Sequence, residues 1–247
     1  MPEGQPGVRQ LLYVPGQDAV RAGPGGRRQE QAEHLQPPAP LGRRCQGVGQ
    51  RIDYVFVASW ADFFSKEADD WRAEAWAIIK RCPNLIFQVL TKRHGRIADH
   101  LPPDWGDGYE NVWLGVSAEN AEWWDRRVPA LNSVPAKVKF VSYEPALGSI
   151  EGCSAAGIDW VIIGGESGAD ARPFELRWAK TAIDICERDG AKPFVKQLGA
   201  FVKDDACLSE PLKDQRFYRL ILKDSHGGEE DEWPEWLRGQ RHFPVSK

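Results

Sequence analysis

From Arg51 onward, short apolar runs alternate with longer amphipathic stretches. The runs are rich in β-branched and aromatic residues and bounded by polar or turn residues, the signature of strands. They are Tyr54–Ser59, Leu85–Leu90, Val112–Val116, Lys137–Ser142, Asp159–Gly164 and Lys192–Lys196. Between them, Glu67–Arg81 carries Trp71, Ala75, Ile78 and Ile79 at helical spacing. Glu119–Leu131 and Glu175–Asp189 predict two further helices, and Arg93–His100 a shorter one. Strands near-continuously apolar and alternating with helices mean βαβ units and a parallel sheet. Six such units fit a partial or full (β/α) barrel, or an open doubly wound sheet. Past Gly199, Phe217–Leu222 predicts a late strand, and Asp224–Trp236 is turn-rich and acidic.

Residues 1–50 break this pattern. They hold no Lys, Ile, Phe or Trp and are rich in Gly, Pro, Arg and Gln. Such a segment buries little apolar surface against its ordering entropy, so a disordered or irregular N-terminus is expected. The division is therefore 1–50, irregular, and 51–247, a partial (β/α)-barrel domain with a turn-rich tail. A barrel short of a strand leaves an unpaired edge.

The chain has 247 residues, 42% hydrophobic and 28% charged, ordinary for a globular protein. No run approaches the roughly 20 apolar residues that span a bilayer, so no membrane partner is expected. The N-terminus lacks the apolar region of a signal peptide, and a cytoplasmic location follows. A net charge of −4 argues against a general nucleic-acid coat but leaves room for a local basic patch. The five cysteines are dispersed without a CxxC, which reads as reduced thiols, with no metal site expected.

Candidate chemistry sits where the strands end. In parallel α/β folds, ligands meet the carboxyl ends of the strands. The first strand runs into Asp62 and the second into Thr91, Lys92 and Arg93. The third leads to Ser117 and Glu119, and the fourth to Ser142 and Glu144. The fifth ends in Gly164, Gly165, Glu166 and Ser167, and the sixth in Lys196 and Gln197. Six polar ends in series read as the rim of one site, with ordinary caps and salt bridges as the alternative. Lys92 and Arg93 form a candidate anion clamp. Gly164 and Gly165 let backbone approach a ligand, or simply make a tight turn. There is no GxGxxG, GxxxxGK[ST] or GxSxG motif.

The ordered runs VFVASWADFFS, FQVLTKR, NVWLGVSAEN, VKFVSYEPALG, IDWVIIGGESGADARP and PFVKQLG, with the late DEWPEWLR, resemble a phage and prophage family of the gp thirty-seven / gp sixty-eight type, a family of unknown function. The resemblance covers Ile52 to about Pro244. It implies a barrel similar to that of radical S-adenosylmethionine enzymes. Family members carry three N-terminal cysteines, which imply a [4Fe–4S] cluster with S-adenosylmethionine on its fourth iron. This chain has only Cys45 there, so no cofactor is expected in it and the activity is impaired or lost. A compensated shift of reading frame near Gly49–Arg51 would account for the missing cysteines. The resemblance leaves the substrate open between nucleic acid and protein. In the enzyme reading, Glu119, Glu144 and Glu166 orient substrate or cofactor. Asp62, Lys92, Arg93, Gly164, Gly165, Ser167, Lys196 and Gln197 complete the site. The alternatives are a non-catalytic module binding a phosphate-bearing ligand or a partner, and a metal-independent hydrolase or nuclease using the carboxylates.

Overall fold

The computed structural model describes residues 9–10, 53–58, 61–203, 219–220 and 222–244. Six parallel strands run in sequence order: β2 (Asp53–Val57), β3 (Leu85–Thr91), β4 (Val112–Ser117), β5 (Val138–Tyr143), β6 (Trp160–Gly164) and β8 (Lys192–Gln197). The two-residue β1 (Arg9–Gln10) joins the β2 edge. The strand order never reverses, which excludes the doubly wound alternative, and the sheet curls into a half-barrel. A small second sheet joins β7 (Phe174–Glu175), β9 (Val202–Lys203) and β10 (Arg219–Leu220). β10 falls within the predicted late strand; Phe217, Ser59 and the rest of the 1–50 segment lie outside the described residues.

Among the described residues, helices do not follow every strand of the expected six βα units: three α-helices are present, α1 (Asp69–Lys80), α2 (Ala121–Asn132) and α3 (Leu176–Asp189). Each buries a helical stripe, as in α1, where Arg72, Ala75, Trp76 and Ile79 face inward. Asn120 caps α2 by accepting from the Trp123 N–H at 3.1 Å. Gly190, at φ 84°, ends α3 in the left-handed region. Arg93–His100 instead makes two single 3-10 turns, because Pro102 and Pro103 stop the chain one turn later. The connection from β5 to β6 has no helix; its sequence EPALGSIEGCSAAGI turns at Gly152 and Gly157, both at positive φ.

Side chains alternate across the sheet. Val55, Val57, Phe87, Val89, Leu114, Val116, Val141, Val161, Ile163 and Val195 pack with the helices in the main core. The concave face carries a smaller cluster of Ile86, Trp113, Val138, Phe140 and Trp160. Gly115 belongs to that face, and a Cβ there would lie 2.5 Å from the Phe140 ring, so the glycine is what lets Phe140 lie across the sheet. The C-terminal residues cover the β8 edge of the sheet. Val195 N–H donates to Gln240 O at 2.6 Å and His242 N–H to Pro193 O at 3.0 Å, while Phe243 stacks on Trp160.

Candidate functional site

The polar rim forms at the carboxyl ends of β3 to β8. Three groups of predicted residues come together there, each around a carboxylate with its own cation.

The first group stands over β3 and β4. Glu119 is buried between Lys92, 2.5 Å from its Oε1, and Arg127, 3.1 Å from its Oε2. Arg127 also donates to Ser117 O at 2.8 Å and stacks 4.0 Å from the Trp123 ring centroid. Burial pushes the Glu119 carboxyl up, but the bonds and charges of Lys92 and Arg127 outweigh it and hold the pKa below its ordinary value. The triad keeps one positive charge in excess, whereas the Arg93 guanidinium acts on the Glu67 carboxylate and helps hold it below its ordinary pKa. Among the described residues, the Arg93 guanidinium makes no ion pair; its backbone N–H donates to Thr91 Oγ1. The Lys92 side chain is 55% exposed at this mouth.

Asp62 has a different task. Its carboxylate accepts from Thr91 Oγ1 at 2.6 Å, from the Lys92 N–H at 2.8 Å and from the Phe64 N–H at 2.9 Å. It ties the loop after β2 to the end of β3 and fixes where Lys92 leaves the strand. A cleft of about 460 Å³ opens beside it, lined by Phe56, Asp62, Leu90, Thr91, Lys92 and Ser117 among others.

The second group stands over β6 and β8. Lys196 Nζ donates to Glu144 Oε1 at 2.8 Å. A Cβ on Gly164 would sit 3.1 Å from that same oxygen, so the glycine makes room for the Glu144 side chain on the concave face. Gly165 is demanded by packing, since a Cβ there would meet Leu198 O at 2.1 Å. Gln197 donates to Gly165 O at 2.9 Å and closes the turn. In the third group, Arg172 grips Glu166 with two guanidinium bonds, at 2.8 and 2.9 Å, and a backbone bond at 3.0 Å. These hold the Glu166 pKa down at about 2. Ser167 is exposed beyond it.

Of the charged rim residues, Asp62 and Lys92 line the 460 Å³ cleft, while Arg172 of the third group lies close enough to act on the Glu119 charge of the first. Backbone bonds stitch neighbouring ends together, Leu147 N–H to Glu119 O and Ala146 N–H to Gly164 O, both at 2.8 Å. Sequence reasoning missed Arg127, Arg172 and Gln88. Arg127 stands on the inner stripe of α2, where periodicity alone reads as core. Gln88 is the polar member of the run LIFQVL and is 2% exposed.

The two described free thiols do not have the character of cluster ligands. Cys153 and Cys186 are buried, and burial pushes their pKa values up to about 11 and about 12, the reverse of a ligating thiolate. Cys82 is disulfide-bonded, which departs from the expectation of reduced thiols throughout. Among the described residues, no group of three His, Cys, Asp or Glu side chains is placed to hold a metal ion. No described helix is long and apolar enough to cross a membrane.

A family model described as "Protein of unknown function (DUF5131)" matches residues 16–234. The chain belongs to that family. The DUF5131 match opens upstream of Ile52 and so takes in part of the segment that composition sets apart. Its description assigns no activity. No curated protein and no solved structure matches the chain.

Proposed function

We propose that this DUF5131 chain is a binding protein that holds a small phosphate- or carboxylate-bearing ligand at the open mouth of its half-barrel. The observation that carries this reading is the Lys92–Glu119–Arg127 triad beside the 460 Å³ cleft. Arg127 neutralises the buried carboxylate, which leaves the exposed Lys92 ammonium to meet an anion, with Arg93 as the neighbouring cation in sequence. Glu119, Glu144 and Glu166 are each ion-paired, which suits orientation of cations, and the pKa values of Glu119 and Glu166 are lowered, whereas proton transfer calls for a raised one. That disfavours the hydrolase reading. The radical S-adenosylmethionine reading lacks the three thiolates in this chain.

The test is equilibrium binding of ribose phosphate to the full chain at two salt concentrations. Binding that weakens with salt and falls about tenfold or more in the double variant Lys92→Ala/Arg93→Ala supports the proposal. Unchanged binding in that variant, or none by the parent chain, rejects it.

A further inference from the structure

The 460 Å³ cleft beside Lys92 is walled largely by apolar residues: Phe56, Val57, Ala58, Ala61 and Leu90 all line it. Val55 and Val57 pack in the helix-side core, so alternation along β2 puts Phe56 on the concave face, where Leu90 packs beside the aromatic cluster. Phe56 and Leu90 are large and apolar, yet both are only partly buried. The polar groups of the cleft are mostly spent on the fold. The Asp62 carboxylate accepts from Thr91 Oγ1 and from the Lys92 and Phe64 N–H groups, and Thr91 Oγ1 accepts in turn from the Arg93 N–H. Ser117 is 4% exposed and gives its carbonyl to Arg127. Lys92 differs. Its ammonium pairs with one Glu119 oxygen while the side chain stays 55% exposed, so donors remain for a ligand. The cleft therefore joins one available cation to apolar walls.

We propose that the ligand of the mouth is an amphipathic anion, one phosphate or carboxylate joined to an apolar body such as an aryl ring or a short acyl chain. The inference rests on the anion-binding reading above and narrows it to a ligand class. The head meets the Lys92 ammonium, and the body lies on Phe56 and Leu90. Sugar hydroxyls held against these walls would lose water without gaining partners, which puts a sugar phosphate at a disadvantage. An apolar body gains from the same surface in proportion to the area it covers. The Phe56 ring adds edge or face contact with an aromatic body.

Calorimetric titration of the full chain with phenyl phosphate, phenylacetate and ribose phosphate tests this. The expected result is that the better of the two aryl anions binds about tenfold or more tightly than ribose phosphate, with a more negative heat-capacity change. Leu90→Ala, which removes part of the wall, and Ala61→Trp, which fills the cleft, should each shrink that preference to about threefold or less. Ala61 is exposed, so Ala61→Trp should fold as the parent does. Lys92→Ala/Arg93→Ala should weaken aryl and sugar anions alike. If ribose phosphate binds as tightly as the aryl anions, or the preference survives both wall variants, the apolar subsite is wrong while the anion site stands. If the aryl anions bind unchanged in Lys92→Ala/Arg93→Ala, the anion reading fails and this one with it. If none of the three binds, both fall.

Discussion

The two faces of the half-barrel are built from the same strands and do different work. The helix-covered face is apolar from end to end, and its residues, from Val57 through Phe87 and Leu114 to Val195, are almost wholly withdrawn from water. The concave face changes character along the strands. Its amino-terminal half is an aromatic plug of Trp113, Phe140 and Trp160 closed by Phe243. Its carboxyl-terminal half carries Gln88, Ser117, Ser142 and the rim ion pairs. Stability is concentrated on one face, and the freedom to bind at one end of the other. This separation lets polar groups collect at the strand ends without opening the core.

Truncations in β3 give the largest contrast. Phe87→Ala, on the helix side, should lower stability by about 3–5 kcal/mol, whereas Leu90→Ala, partly exposed on the concave side, should cost about 1 kcal/mol. Chemical denaturation of both variants checks this, and equal losses would erase the distinction between the faces. Arg127→Met comes next, at about 2–3 kcal/mol. It leaves the buried Glu119 with Lys92 as its one cation, below the full loss for a stranded charge. Gly115→Val should cost about 1–3 kcal/mol by overpacking against Phe140, read as a fall in Tm. A neutral outcome there would mean that the aromatic plug is loosely packed.

Much of this division is legible in the sequence, for reasons that differ by element. The central strands are readable because both their faces are buried, which forces continuous apolar runs such as VWLGVS, while β8 is legible from the alternating Pro193 and Val195 on its buried face. α1 and α3 are readable because their one-sided burial imposes a helical period. Arg93–His100 misleads, because its polar composition permits helix while Pro102 and Pro103 leave it no room to grow. The rim residues can be listed from the strand ends, but their pairing cannot. Glu119 finds Arg127 nearly two helical turns into α2, and Glu144 finds Lys196 two strands away, 52 positions later. Such partners are set by the curl of the sheet, which no local pattern encodes. Gln88 is visible as an anomaly in LIFQVL, yet only the register beside Phe56 gives it a place.

The pH dependence separates buried from exposed rim carboxylates. Glu119 has a folded pKa below its unfolded value of 4.5, so its ionised form contributes stability that is fully present above 4.5 and is lost as pH falls through the folded pKa. Comparing the chain with Glu119→Gln should therefore show a stability gap near neutral pH that closes below about 4.5.

The smallest effect belongs to the exposed pairs. Lys196 is 53% exposed beside Glu144, and the Arg172 side chain that grips Glu166 is 56% exposed. Water and salt screen both pairs, so Lys196→Ala and Glu166→Gln should leave Tm nearly unchanged at physiological ionic strength. The Arg172 bonds hold the Glu166 pKa at about 2, below its unfolded value of 4.5, so what stability screening leaves to that pair is present above 4.5 and is lost as pH falls towards 2, and Glu166→Gln should change the pH profile only slightly and only in that window. A clear fall in Tm from either variant would place structural weight on the rim and break the separation between a face that stabilises and an edge that binds. An unchanged Tm with weakened ribose phosphate binding in Lys196→Ala would sharpen it, because the ligand would then reach from the Lys92 side of the mouth to the Lys196 side.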